Sequence, residues 1–141
     1  MENKINSIED LQLKRNSFIS LLSSRRSGKS YMVSNLAHYF LTNEENKVDF
    51  VYMFSHTAGF DEDNYDWLDK SVVFPASVEA MNRGVANILN IQQQTKRKAH
   101  VLIIFDDIDL DKEVQGINKL AVAGRHYKIT TILSAQVTSH A

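Results

Sequence analysis

Residues Ser23–Ser30 read SSRRSGKS, and the last three are the types that hold a triphosphate. A glycine such as Gly28 lets backbone approach a phosphate closely. Lys29 sets an ammonium against the β- and γ-phosphates, and the Ser30 hydroxyl can ligate Mg²⁺. The general pattern is G-x-x-x-x-G-K-[ST], and Ser23 stands where its first glycine should be. Most of the physics survives that change. A loop feeding a helix N-terminus still points N–H groups at one spot, and the helix dipole adds positive potential there. On this reading Ser24, Arg25, Arg26, Ser27, Gly28, Lys29, Ser30 and Tyr31 surround the nucleotide. Arg25 and Arg26 raise the positive potential around the phosphates or face a partner subunit. A bare Gly-Lys-Ser is a weak signal, equally a turn before an ordinary helix. Its setting between an apolar strand and an amphipathic helix is what the phosphate chemistry requires.

The second group is VLIIFDD, Val101–Asp107. Buried apolar residues followed by acids at a strand's carboxyl end make a Walker B pattern. Asp106 would hold Mg²⁺ through its water shell, and Asp107 would orient or deprotonate the attacking water. Asp109 and Asp111 read as turn and helix cap. Gln136, one residue beyond the last apolar strand, can reach between the γ-phosphate and Asp107 and report which nucleotide is bound. Arg125, in GRHY at a helix-to-strand turn, lies at the opposite edge of the sheet from the strand ends. It is badly placed for its own nucleotide and better placed for a neighbour's, so an arginine finger in trans is one reading. A helix C-terminal arginine complementing the dipole is the other. Lys96, Arg97 and Lys98, with Lys119 and Lys128, form either a basic surface for DNA or a solvated face.

Elements must place these residues together. Ser17–Ser23 is a short apolar run that predicts a buried strand. Ser30–Leu41 predicts a helix, with Val33, Leu36, Ala37, Phe40 and Leu41 on one face. Val48–Phe54 is β-branched and aromatic and predicts a second strand. Residues 55–70 are acidic, turn-rich and without period, and predict a solvated loop that Phe60, Tyr65 and Trp67 pack down. Val72–Phe74 is a short strand before Pro75. Ser77–Lys98 is the longest helical pattern, with Ser77 as its N-cap. Val101–Phe105 is a strand, Asp111–Arg125 a helix with Val114, Ile117, Ala121 and Gly124 aligned, and Ile129–Ala135 the last strand. Strands alternating with helices imply an α/β fold, a mostly parallel sheet with right-handed crossovers and helices on both faces. Ligands then bind beyond the carboxyl ends of the strands, where the motifs fall.

Composition agrees. The chain has 141 residues, one domain's length, taken as a polar lead-in over 1–16 and a nucleotide-binding domain over 17–141. At 43% hydrophobic residues it can build a core. No apolar run reaches the roughly 18 residues of a membrane span, so no membrane partner is expected. The polar first 16 residues do not read as a signal peptide. Cys is absent, which excludes disulfides and thiolate metal sites and suits a reducing compartment. A net charge of −1 excludes a blanket of positive charge, so DNA contact needs local patches or an assembly of subunits.

Other nucleotide-binding classes are excluded by what is missing. Asn46–Asp49 spells NKVD, but it precedes the second strand, upstream of the Walker B acids, so it is no GTPase base-reading motif. None of the four acids Asp106, Asp107, Asp109 and Asp111 begins an Asp-x-x-Gly. The Leu-Ser-Gly-Gly-Gln of ABC ATPases is absent. A second Walker B acid and a polar residue ending the next strand point to the additional-strand, RecA/FtsK-like class of P-loop NTPases, a three-layer sandwich.

At SSRRSGKS, VYMFSHTAGFDEDNYDWL, VLIIFDD and GRHYKITTILSAQ the chain resembles the DNA-packaging ATPases of poxviruses and other large DNA viruses, within the FtsK–HerA superfamily. The resemblance covers about residues 14–137. It implies an ATP-driven motor, a homo-oligomeric ring, that pulls double-stranded DNA into a capsid, meets capsid proteins, and works at the assembly site in host cytoplasm or in the virion. Carried over by position, Lys29 and Ser30 are the Walker A pair, Asp106 and Asp107 the Walker B pair, and Gln136 the sensor. ATP and Mg²⁺ are the implied cofactors. The chain departs from the family at Ser23, at Asp107 where much of the superfamily has Glu, and at its end, where the family continues with at least another strand and helix. A short variant or a fragment is therefore expected. The departures also motivate a different class, a nucleotide-binding assembly subunit without turnover. A same-class alternative is a conjugation or phage-assembly ATPase of the same superfamily.

The first prediction follows from Lys29. Lys29→Ala removes a charge-assisted set of phosphate contacts and should abolish ATP binding or weaken it severely in equilibrium titrations. Undiminished affinity would overturn the assignment of the loop.

Overall fold

The computed structural model describes residues 13–23, 29–56, 65–69 and 72–136. Along the chain its main elements are β1 (Phe18–Ser23), α1 (Lys29–Thr42), β2 (Phe50–Phe54), β3 (Val73–Phe74), α2 (Val78–Gln94), β4 (Val101–Asp109), α3 (Gln115–Ala123) and β5 (Ile129–Gln136). A 3₁₀ turn, Gly124–Tyr127, joins α3 to β5. The described strands form one sheet in the order β1-β5-β4-β2-β3, with every adjacent pair parallel. The α/β expectation holds, and the strand latest in sequence lies between β1 and β4.

Alternation along the strands sends side chains to two cores. On one face α1 lays Val33, Leu36, Ala37 and Phe40 over Met53, Leu102, Ile104 and Ile132. On the other, α2 and α3 bring Met81, Val85, Ile117 and Leu120 against Ile103, Phe105 and Leu133. Ile103 and Ile104 are both fully buried, each facing a different core. Both faces of a central parallel strand are thus covered, which is why VLIIF is continuously apolar rather than alternating. No helix among the described residues is long and apolar enough to cross a membrane.

Several boundaries differ from the sequence-based expectation. β4 runs on to Asp109, because β5 continues to pair with it at Ile108 and Asp109. Asp109 does make a turn: its Oδ1 accepts the Asp111 N–H at 2.9 Å. Asp111 is not the helix cap. α3 starts at Gln115 after Val114, which offers no side-chain cap. The Gly116 N–H donates instead to Asn82 Oδ1 on α2, at 2.7 Å. A neighbouring helix thus satisfies a donor that the local sequence cannot. Val114, Ile117 and Gly124 are buried as expected, but Leu120 rather than Ala121 completes that face, Ala121 being exposed. α2 ends at Gln94 rather than Lys98, since Lys96 and Arg97 adopt φ of 58° and 56°. Ser77 caps it as expected, its side chain accepting from the Ala80 N–H at 3.1 Å.

Gly84 marks where α2 meets the sheet. Phe54 stacks on Phe105 with ring centroids 5.3 Å apart, and a Cβ on Gly84 would overlap the Phe54 ring. Alanine would raise helix propensity by about 1 kcal/mol. Overpacking against a buried, stacked ring costs about 1–3 kcal/mol, so packing decides the sign. Gly84→Ala should lower the melting temperature by roughly 2–8 °C, read by circular dichroism. An unchanged or higher melting temperature would show that the ring yields.

Candidate active site

The parallel strands bring their carboxyl ends to one edge of the sheet. β1 ends at Ser23 and α1 begins at Lys29. The residues between them, Ser24, Arg25, Arg26, Ser27 and Gly28, lie outside the described residues. Lys29 and Ser30 form the first turn of α1, whose N-terminal end supplies N–H groups and positive potential. Tyr31 in the same turn is 67% exposed, while Val33 two positions on is fully buried.

Asp106 is only 3% exposed. It lies on the α1 face of β4, two residues beyond Ile104. Burying a carboxylate demands donors, and two hydroxyls supply them. Ser55, the residue after β2 and itself buried, donates to Oδ2 at 2.8 Å. Tyr65 donates from its phenol to Oδ1 at 2.9 Å. Tyr65 belongs to a turn at residues 65–69 that packs on the α1 face, where Trp67 Nε1 donates to Ser34 Oγ of α1 at 2.9 Å. The expectation that Tyr65 and Trp67 pack their segment down is met; Phe60 lies outside the described residues. What sequence reasoning missed is the polar end of Tyr65, and Ser55 altogether. The available signal was a serine directly ending the strand VYMF, but its value depends on β2 neighbouring β4, which strand order alone supplies.

Asp107 has a different environment. Phe105 pairs with Leu133, but Ile108 pairs with Ala135, so β4 carries one extra residue at this point. Asp107 takes φ 57° there and is exposed. Such a bulge re-aims side chains. It returns Ile108 to the core shared with α2 and α3, and leaves Asp107 on the rim beside Asp106. A non-glycine residue in the left-handed region costs about 1 kcal/mol or more, and Asp tolerates it better than most.

Gln136 is the last residue of β5 rather than one beyond it, paired with Ser23 on one side and Asp109 on the other. It therefore stands beside the start of the loop before α1. Ser134, two residues back and fully buried, has an Oγ without a hydrogen-bond partner among the described residues. Arg125 is exposed in the 3₁₀ turn that precedes β5, at the amino end of that strand. The structure brings Asp106, Asp107, Gln136 and the start of α1 to one edge and leaves Arg125 at the other.

The described residues contain no group of three or more His, Asp or Glu side chains that could hold a metal by themselves. A site of one buried carboxylate beside a helix N-terminus instead suits an ion that arrives with phosphates. Each Asp106 oxygen accepts a hydroxyl, and a carboxylate oxygen can in general accept more than one hydrogen bond.

The family model described as "Poxvirus A32 protein" matches residues 7–141. The chain belongs to that family. Among curated proteins none matches the chain by sequence. Solved structures show the same fold. The cytoplasmic domain of the Thermomonospora curvata type VII secretion ATPase EccC aligns at TM-score 0.59 and 12% identity, over 85% of this chain and 16% of that one. A KaiC-like protein from Pyrococcus horikoshii aligns at 0.53 and 12%, over 87% and 62%. The genome packaging NTPase B204 from Sulfolobus turreted icosahedral virus 2, in complex with ATP-γ-S, aligns at 0.50 and 14%, over 85% and 64%. The chain thus spans less than two thirds of each of these proteins.

The bulge generates a test. Asparagine keeps the shape of Asp107, tolerates the left-handed backbone and cannot accept a proton. Asp107→Asn should bind ATP nearly as wild type and hydrolyse it at least about 10²-fold more slowly. Unaffected hydrolysis would place the catalytic carboxylate elsewhere.

Proposed function

We propose that this chain hydrolyses ATP to drive double-stranded DNA into a viral capsid. The observation that carries the reading is the family match over residues 7–141. The geometry supports it: β5 lies between the strand feeding α1 and the strand ending in Asp106 and Asp107, as the additional-strand class of ATPases requires.

Each residue then has a task. Backbone N–H groups of the Ser24–Gly28 loop and the first turn of α1 bind the phosphates. Lys29 neutralises charge on the β- and γ-phosphates. Ser30 and Asp106 are the residues that would hold Mg²⁺, which when bound would offset the charge that develops on the phosphate oxygens. Asp107 orients the attacking water and takes its proton. Gln136 lies beside the loop, where an amide can contact both the terminal phosphate and that water. Arg125, remote from its own site, suits the site of an adjoining subunit.

That last assignment makes assembly part of the proposal. An arginine supplied in trans is worth about 10³–10⁵ in rate. A chain of net charge −1 binds DNA weakly alone, whereas a ring multiplies weak contacts through effective concentration. Lys96 and Lys98 are exposed after α2, at the end of the sheet away from Asp106. They are candidates for DNA contact. Capsid proteins as partners, and the assembly site in host cytoplasm or the virion as location, follow from the same reading.

Specific ATPase activity should rise with protein concentration, rise again with double-stranded DNA, and collapse in Arg125→Ala. Constant activity down to dilute monomer, unchanged in that variant, would remove both the finger and the ring. Nucleotide binding with no turnover under any of these conditions would favour an assembly subunit instead.

A further inference from the structure

We propose that Tyr65 is a positioning residue for the reaction, acting with Ser55 to fix the carboxylate of Asp106 in the orientation that receives the metal–nucleotide complex. The inference rests on the nucleotide-hydrolysing reading above and adds residues outside the Walker A and Walker B motifs.

A carboxylate at the end of a strand can rotate about its last torsion unless something holds both oxygens. Here each oxygen has its own donor, and the two donors come from different parts of the chain. Ser55 Oγ holds Oδ2 at 2.8 Å from the neighbouring strand β2, and Tyr65 holds Oδ1 at 2.9 Å from the turn at 65–69. Both donors are themselves immobilised. The Ser55 N–H donates to the Phe74 carbonyl at 2.9 Å, which ties it to β3. Tyr65 is 4% exposed, and its ring lies 6.3 Å from that of Trp67, whose indole is bonded to Ser34 on α1. The chain that positions Asp106 therefore runs from the helix that starts with Lys29 to the strand that ends with the acids.

Packing alone does not explain these choices. A phenylalanine at 65 would fill the same space in the apolar cluster that includes Val33 and Leu36. What the phenol adds is a hydrogen bond that ends on a carboxylate. A carboxylate oxygen can accept more than one hydrogen bond, so the clamp and a bound cation can act on Asp106 together. Groups that orient a metal's acceptors in this way are typically worth 10–100-fold in metal affinity or activity.

The test separates metal coupling from folding and from the parent reading. Binding of a non-hydrolysable ATP analogue is measured on the full chain by calorimetry, once with EDTA and once with excess Mg²⁺. The ratio of the two dissociation constants is the gain due to the metal. Tyr65→Phe should keep the EDTA affinity within about twofold and reduce the metal-dependent gain by roughly tenfold or more. The Mg²⁺ concentration that half-activates hydrolysis should rise in parallel. Ser55→Ala should change both quantities in the same direction, and Ser55→Thr, which restores a hydroxyl, should recover them. A merely structural hydroxyl would lower the melting temperature and leave the gain unchanged. That result in both Tyr65→Phe and Ser55→Ala would overturn the proposal. Failure of the parent reading shows differently, as wild-type protein that binds no nucleotide in either condition.

Discussion

Parallel pairing is the constraint from which the rest follows. Each parallel neighbour forces the chain to leave one end of the sheet and return to the other, and the return must cross a face. α1 takes one face, α2 and α3 the other, and both then have to be apolar. The same rule collects the carboxyl ends of β1, β2, β4 and β5 along one edge. That edge is where the backbone stops being paired and polar side chains can begin. Ser55, Asp106 and Gln136 sit at that transition for one topological reason.

The site is a local exception to the sheet's own logic. Asp106 continues the α1-facing series of Leu102 and Ile104 and is as buried as they are, so an acid occupies an apolar position. Two hydroxyls brought in by β2 and by the 65–69 turn resolve the conflict. Immediately afterwards the β4 bulge abandons regular pairing, and Asp107 is left exposed in a left-handed conformation. Adjacent acids thus occupy opposite environments, one enclosed and fixed, the other at the rim. Enclosure suits a residue that holds an ion in place, and exposure suits one that exchanges protons with a water.

The strands and helices were legible because their patterns are strong. VLIIF can only be a strand buried on both faces, and Ser77 announces a helix that the structure starts at Val78. The acidic run after VLIIF misled at its far end. Asp111 has the right type for a cap, but Asn82 from another helix fills that role across space, and no local rule reports it. The bulge was invisible for a similar reason. Whether Asp107 pairs or protrudes depends on β5, which the sequence places after α3. Tyr65 was read for its ring alone, because the partner of its hydroxyl is 41 positions away. The general lesson lies in which atoms were missed. Apolar periodicity is local and survives in one dimension, whereas hydrogen bonds between side chains depend on strand order.

The position of β5 also governs how the protein comes into being. β1 and β4 are not neighbours in the sheet; the strand that joins them follows both in sequence. Asn16 and Thr130, bonded through backbone and side chain, are 114 positions apart. Until the ribosome releases residues 129–136, the nascent chain holds two unsatisfied strand edges, one on β1 and one on β4. Contacts of such long sequence separation slow folding, and exposed edges in the interim invite pairing with other chains. The step that completes the sheet is also the step that sets Gln136 beside Ser23, so β1 and β4 are joined into one site only once β5 is in place.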